Sequence, residues 1–324
     1  MIWWQRLTAL FQPEQYHGWG RKQRYFEGWY YKLITADRSK AIAIIPGIAM
    51  DDEGNRQAFI QVLDGVKKTA VYHKFEYDSF RVNTSHFEVR IGENHFTADR
   101  IELVLPELKG SIQFENKVPW PSSWSSPGIM GPYAFVPFME CYHGILSMDH
   151  DLIGNLRIQG EEIQFDGGKG YTEKDWGHSF PSAYIWMQSN HFSRPGISLK
   201  VSVARIPWLR SAFTGFIAGL WLDGRLYQFT TYNNTKLVRC AISAERVQVI
   251  MENKKYRLEI NAQREEATGL ASPIQGMMEG RIEESLTSSI RVDLIDLAAI
   301  KSVFKDTGHC AGLEVAGQIE QIII

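Results

Sequence analysis

Between Gly170 and Phe192 the chain reads GYTEKDWGHSFPSAYIWMQSNHF, a run dense in groups that can move protons. Glu173, Asp175 and His178 crowd around Trp176, and Trp186, Gln188 and Asn190 follow. In an extended chain successive side chains point to opposite faces, so Tyr171, Glu173 and Asp175 share one face while Lys174 and Trp176 take the other. Two carboxyls at that spacing reach the same bound molecule. In an apolar pocket burial disfavours the charged form, and one carboxyl is held protonated as a general acid. The alternative is a solvated Glu173, or one paired with Lys174 or a distant arginine. Glycines on both sides, Gly168 and Gly170 before the acids and Gly177 after them, point to a backbone path that another group approaches closely.

A second cluster lies in FMECYHGILSM, Phe138 to Met148. Glu140, Tyr142, Gly144, Leu146 and Met148 share one face of a strand there, with Cys141 and His143 on the other. Only a short hairpin-like stretch separates it from GYTEKDW, so the two segments are expected to pair. A Glu or His inside an apolar strand is costly without a partner, which leaves both a satisfied structural histidine and a catalytic one open. The third cluster is FEGWYYKL, where Glu27 sits between aromatics, either as a buried, hydrogen-bonded carboxylate or as a rim residue.

The elements that must position these groups read as strands. Phe87, Val89 and Ile91 alternate with polar residues; Gly-Glu-Asn then leads to Phe96, and Ile101, Leu103 and Leu105 follow. Leu199, Val201 and Val203 alternate again. Asp223-Gly224 is the dipeptide of a two-residue hairpin turn. Val247, Val249 and Met251, a turn at Asn253-Lys254, then Tyr256, Leu258 and Ile260 predict another hairpin, and Ile290, Val292 and Leu294 a further strand. Helical spacing is expected at Ile2, Trp3, Leu7, Leu10 and Phe11, and at Leu297, Ile300 and Phe304 within Asp296 to Phe304. The chain is therefore mainly β, with strands at regular intervals, as in a sandwich or an antiparallel barrel. Pro119 to Pro132 concentrates Pro, Ser and Gly, and is expected to be an ordered crossing between two domains, residues 1–125 and 126–324. Tyr25 to Leu33 and Ser182 to Phe192 echo each other, each an aromatic strand followed by an apolar one ending in Pro.

The 324 residues carry a formal net charge of −2 and show no basic stripe, which gives no electrostatic case for nucleic acid. Three scattered cysteines argue against a disulfide framework or a cysteine-ligated zinc. The HExxH, P-loop, dinucleotide-glycine and Gly-x-Ser-x-Gly patterns are missing. Histidines occur singly apart from His143 and His150, so the pattern lends a metal site no support; the expected chemistry needs no metal and no cofactor. MIWWQRLTALFQPEQ lacks the basic, apolar and small-residue regions of a secretory signal, and no apolar run is long enough to span a bilayer. The expected location is cytoplasmic, with peripheral contact at a membrane surface through Trp3 and Trp4.

Taken together, YFEGWYYK, ECYHG, GYTEKDWGHSFP followed by YIWMQSNHF, and the terminal GLEVAG resemble the tocopherol cyclase family, over nearly the whole chain from Tyr25 onward. The resemblance implies two lipocalin-like antiparallel β-barrel domains packed together, with few short helices, as in carotenoid hydratase-like proteins. It implies a cofactor-independent lyase or isomerase that closes the chromanol ring of vitamin E from a prenylated (phytyl) benzoquinol. The matching motif positions are Glu27, Gly28 and Trp29, then Tyr171, Glu173, Trp176 and Gly177, then Gln188 and Asn190.

Ring closure adds a phenol hydroxyl across a trisubstituted alkene. The alkene is a poor base, so a desolvated acid must deliver the proton. The tertiary cation that follows is stabilised by aromatic faces, at roughly 0.5–2 kcal/mol each, and water must be excluded. On that scheme Glu173 is the acid, with Asp175 as its rival. Tyr171 and Trp176 flank the cation, and His143 or His178 accepts the phenol proton. Gln188 and Asn190 hold the quinol oxygens, while Glu27, Trp29, Glu140, Tyr142 and Trp186 contact the substrate. The competing readings are a non-catalytic carrier of a hydrophobic prenyl lipid, and a related prenyl-chain hydratase or isomerase in which water replaces the phenol.

Overall fold

The computed structural model describes residues 9–324; the amphipathic stretch expected at the N-terminus falls largely outside them, through Thr8. The chain divides into two compact units. Met1–Phe180 with Leu270–Arg281 form the first, and Pro181–Gly269 with Ile282–Ile324 the second. The boundary expected at residues 125/126 falls inside the first unit, where strands on either side of it pair with each other.

The first sheet is built from β1 (Tyr25–Ile34), β2 (Ala41–Met50), β3 (Arg56–Asp64), β4 (Thr69–Glu76), β5 (Phe80–Val82), β6 (Glu88–Ile91), β7 (Asn94–Thr97), β8 (Arg100–Val104), β9 (Leu108–Glu115), β10 (Cys141–Ile158), β11 (Glu161–Gln164) and β12 (Lys169–Gly177). Its order is β4-β3-β2-β1-β12-β10-β9-β8-β7-β6-β5, with β11 on β10. Ile44 and Ile60 from one end of that path share a single apolar core with Val89, Phe96 and Ile101 from the other. The sheet therefore curls around its own interior, although the terminal strands β4 and β5 do not pair.

The second sheet comprises β13 (Ala183–Ser189), β14 (Ile197–Trp208), β15 (Ser211–Leu222), β16 (Arg225–Thr230), β17 (Lys236–Ile242), β18 (Arg246–Glu252), β19 (Tyr256–Gln263), β20 (Thr268–Ile274), β21 (Met277–Asp296) and β22 (Lys301–Gly317). It runs β16-β15-β14-β13-β22-β21-β19-β18-β17, with β20 on β21. Leu199, Val201 and Val203 again meet residues from the far end, Val247 and Val249 among them, in one core. In each sheet the first strand hydrogen-bonds the sheet's last, β1 to β12 and β13 to β22, and its own hairpin partner on the other side. The two aromatic segments that echo in the sequence, Tyr25 to Leu33 and Ser182 to Phe192, occupy these corresponding places.

Asp223 and Gly224 both take positive φ, 50° and 81°, in the two-residue turn joining β15 to β16. The expected helix at Asp296 to Phe304 is instead a hairpin tip. Asp296 pairs with Lys301, and the Asp296 carboxylate accepts the backbone N–H groups of Ala298 and Ala299 at 2.9 and 3.1 Å. That side-chain turn replaces the first helical hydrogen bonds, and Ile300 ends it at φ 50°, pointing to solvent. The 3₁₀ turns are Tyr77–Ser79, Gly131–Phe135 and Ile319–Gln321. Among the described residues no helix is long and apolar enough to cross a membrane.

Candidate active site

β12 lies between β1 and β10, and its alternation separates two sets of charged groups. β10 pairs with it in the register Cys141↔Gly177, Tyr142↔Trp176 and His143↔Asp175, as the proximity of the two motifs suggested. Both flanking glycines are needed. A Cβ on Gly170 would sit 2.1 Å from His150 Nε2, and one on Gly177 would sit 2.2 Å from the Glu140 carbonyl oxygen.

One face of β12 turns away from the apolar core and carries Tyr171, Glu173 and Asp175, with His143 alongside from β10. Glu173 is only 4% exposed. His143 Nδ1 lies 2.8 Å from Asp175 Oδ1, and its Nε2 lies 3.4 Å from Glu173 Oε2. The Tyr171 hydroxyl donates a short hydrogen bond to the same Glu173 oxygen. Burial, and next the Glu173 charge, holds the Tyr171 phenol well above its ordinary pKa, so it stays a donor. Cys141 Sγ lies 3.8 Å from Asp175 Oδ1; burial and then the Asp175 charge keep that thiol protonated.

This geometry fixes where hydrogens can sit. Asp175 can only accept, so His143 Nδ1 carries a hydrogen. Nε2 then faces a carboxylate oxygen, two acceptors meeting, unless one proton is shared between them. Asp175, His143, Glu173 and Tyr171 thus form a line along which a proton can pass between nitrogen and oxygen. His143, Glu173 and Asp175 also place one ligand atom each within 4.8 Å of one another, a donor set that a divalent cation accepts.

The core-facing side of β12 is occupied differently. Lys174 Nζ meets Glu27 Oε1 at 2.5 Å, with both side chains fully buried. It also donates to the Gln15 carbonyl and, at 2.7 Å, to His17 Nδ1. His17 Nε2 donates to the Ala9 carbonyl at 2.9 Å, which leaves Nδ1 bare to accept from Lys174. Glu27 further accepts the His17 and Gly18 N–H groups and the Tyr25 hydroxyl at 2.7–3.1 Å. Burial works against the Glu27 charge, but Lys174 and the donors from His17 outweigh it and pull the carboxyl below its usual range. Burial, partly offset by Glu27, lowers Lys174 to about 8; burial and the Lys174 charge lower His17 to about 4.

Trp176 stacks between His17 at 3.9 Å and Tyr142 at 5.6 Å, and Lys174 Nζ lies 4.7 Å above the Trp29 ring. Trp29 Nε1 donates to the Glu14 carbonyl at 2.9 Å, and the Tyr142 hydroxyl donates to the Val136 carbonyl at 2.5 Å. Glu27, Trp29, Tyr142 and Trp176 therefore belong to the inner face, where the segment Pro13 to Gly18 covers them. Strand alternation puts Tyr171 and Trp176 on opposite faces, so the two cannot flank one cation.

Glu140 and His178 stand where β10 begins and β12 has ended, joined by a 2.9 Å bond from the His178 N–H to the Glu140 carbonyl. Burial raises the Glu140 carboxyl, and burial followed by Arg24 and Arg21 lowers His178. Of the two histidines, His143 is the one that bridges both acids. Trp186, Gln188 and Asn190 lie in the second unit, buried on or just beyond β13, on the face away from its apolar core. Trp186 packs against Gly312, where a Cβ would come within 2.4 Å of the ring. The Lys174–His17 contact was not foreseen; a lysine on the strand's other face was visible in the alternation, but its partners lie far off in sequence.

The family model described as Tocopherol cyclase-like matches residues 106–317, which takes in β9 through β22 and both motifs that build the His143–Glu173 line. The chain belongs to the tocopherol cyclase-like family. The first motif, around Glu27, lies outside that match. Within curated relatives, the chloroplastic tocopherol cyclase of Zea mays is 28% identical over 200 residues, 58% of this chain and 41% of that protein. The probable tocopherol cyclase, chloroplastic, of Oryza sativa subsp. japonica is 27% identical over 199 residues, 58% of this chain and 42% of that one. The matches thus span about two-fifths of the relatives' length. Among solved structures, CghA with Sch210972 superposes with a TM-score of 0.55 at 11% identity, over 90% of this chain and 88% of that one. The AttH protein of Nitrosomonas europaea does so with 0.52 at 14%, over 90% and 92%. At such identities the likeness is one of fold, and it agrees with two lipocalin-like units for this tocopherol cyclase-like chain.

Proposed function

We propose that the chain catalyses acid-initiated closure of a prenylated hydroquinone to a chromanol, with the Asp175–His143–Glu173 line as its proton machinery. The observation that carries this is the 3.4 Å approach of His143 Nε2 to the buried Glu173 Oε2, with Asp175 bonded to the other ring nitrogen. Glu173 gives its proton to the alkene carbon, and the electron pair of the double bond forms the new C–H bond. Tyr171, which donates to Glu173, favours the carboxylate left behind. The phenol oxygen closes on the tertiary cation, and its proton passes to His143 Nε2. From there it returns across the same contact to Glu173. The atoms of substrate and product balance, and the enzyme ends as it began, without a redox partner. Asp175 holds the ring in the needed tautomer and stabilises the transient imidazolium.

Family membership and the named plant relatives support the prenylquinol substrate class. The test is incubation of the purified chain with a phytylated dimethylbenzoquinol under reducing conditions, with separation of the products. A chromanol formed by the native chain and lost in Glu173→Gln supports the reading. A tertiary alcohol would make water the nucleophile, and tight binding without turnover would make the chain a carrier.

A further inference from the structure

Several aromatic side chains on the first unit lie against solvent rather than core. From Val118 to Met139 the sequence holds no charged residue and no histidine, although 22% of the whole chain is charged. Trp120, Ile129 and Met130 bury and anchor this segment. Between them Ser123 and Ser126 exchange backbone hydrogen bonds at 3.0 and 3.2 Å, and Gly128 N–H donates to Ser122 Oγ at 3.2 Å. Trp124 stands in this tight turn, 89% exposed. Its ring meets Phe11 at 5.8 Å, and Phe11 meets Phe135 at 6.3 Å. Phe135 and Phe138 are also exposed. In the sequence, the ten residues before Phe11, MIWWQRLTAL, carry one charged side chain, Arg6.

From this surface we infer that the first unit docks on the interfacial zone of a lipid bilayer, inserting Trp124, Phe135, Phe138 and Phe11. A turn that is hydrogen-bonded and anchored from beneath presents its tryptophan outward by construction. Trp rests at the boundary between headgroups and acyl chains, where its ring has an apolar neighbour and its indole N–H a polar one, and Phe beside it adds apolar surface that inserts. The near absence of charge decides which bilayer. The attraction is apolar, so zwitterionic lipid suffices and salt does not release the protein, unlike a polybasic anchor. The inference goes beyond the proposed chemistry and stands on this surface alone.

The experiment is cosedimentation of the full chain with phosphatidylcholine vesicles, and with vesicles that also contain phosphatidylserine, at low and high salt. Expected are binding to both, little change with salt, and a partition coefficient that falls about tenfold or more in Trp124→Ser. Trp124→Ser/Phe138→Ser should lose binding almost entirely. Ile300→Ser, at an exposed hairpin tip of the second unit, should leave it unchanged. Failure of the native chain to bind either vesicle, undiminished binding by Trp124→Ser, or binding that needs phosphatidylserine and vanishes in salt would each overturn the inference. So would a dimer in sedimentation velocity that Trp124→Ser dissolves while vesicles bind nothing, since the patch would then fit a second copy.

Discussion

The two faces of β12 carry similar residue types and put them to opposite uses. On the inner face Glu27 accepts five hydrogen bonds or ion-pair contacts, Lys174 is shared among Glu27, Gln15 and His17, and neither charge reaches water. Every proton there has one seat. On the outer face Glu173 and His143 approach at 3.4 Å, a contact across which a proton can pass, while Asp175 remains partly exposed. A buried charge cluster with all its donors and acceptors satisfied holds structure together, here by fastening Pro13 to Gly18 over the core. On the proposed reading the outer cluster instead hands a proton to a bound molecule and recovers it. The difference lies in the use made of the proton rather than in burial or in residue type.

That contrast is sharpest in activity. Glu173→Gln keeps the shape and the hydrogen bond from Tyr171 but has no acidic proton. Turnover of the quinol should fall by about 10²–10⁴, the usual weight of a positioned general acid, while the thermal midpoint stays near that of the native chain. Normal turnover by a folded Glu173→Gln protein removes the acid from the outer face. On the inner face the loss should appear in stability instead. Lys174→Met strands the Glu27 carboxylate and should cost about 3–5 kcal/mol, whereas Lys174→Met/Glu27→Gln should recover part of it because no lone charge stays buried. Urea titration measures both. If the single variant is as stable as the native chain, the inner cluster is not the fastening described.

Much of the fold could be read from the sequence, because strand alternation is local. Leu199 to Val203, Val247 to Ile260 and Ile290 to Leu294 were visible as half-buried strands, and Asp223-Gly224 named its turn. The error at Asp296 arose because Leu297, Ile300 and Phe304 match a helix by spacing, while the Asp296 side chain selects a turn. At the site, the alternation of Glu173 with Lys174 and the pairing of ECYHG with GYTEKDW were legible. The partners of Lys174 were not, since Glu27 and His17 approach only after β1 pairs with β12. Nor could sequence choose between His143 and His178, because the register Asp175↔His143 arises from bulges in β10 as well as from spacing.

A smaller effect follows from the pH dependence of the inner face. His17 falls from an ordinary 6.5 to about 4 through burial and the Lys174 charge, and His150, buried against Phe114, falls to about 3. A histidine whose folded pKa is depressed binds fewer protons folded than unfolded between the two values. Stability therefore rises with pH across about 4 to 6.5 for His17 and about 3 to 6.5 for His150, and is lost on acidification through that window. The Glu27 carboxyl, also depressed, adds loss in the same direction below its unfolded value. The unfolding free energy from urea titration should decline from pH 7 to pH 4, by up to about 3 kcal/mol from His17. His17→Gln should flatten the decline. A variant whose acid limb is as steep as the native one removes His17 from the account.

Asp175→Asn tests the outer face more gently. The amide fits the space and can still accept from His143 Nδ1, but it no longer offsets an imidazolium. Turnover should drop by about tenfold to a hundredfold and its pH profile should move, with KM nearly unchanged. An unaltered profile would make Asp175 a surface acid that merely touches the ring.

The least change is expected from removing metal ions. His143, Glu173 and Asp175 bring three ligand atoms within 4.8 Å, but Asp175 is already committed to Nδ1 at 2.8 Å. A cation between Nε2 and Glu173 would take the seats of the shared proton and so block the chemistry rather than support it. Prolonged treatment with a chelator should leave turnover unchanged, and added zinc should inhibit it with competition from protons as pH falls. If the chelator instead abolishes turnover and zinc restores it, the outer face is a metal centre and Glu173 is a ligand. The contrast between the faces would then be one between an ion pair and a cation site. The two outcomes have opposite signs in one assay, so the shared-proton reading and the metal reading cannot both survive it.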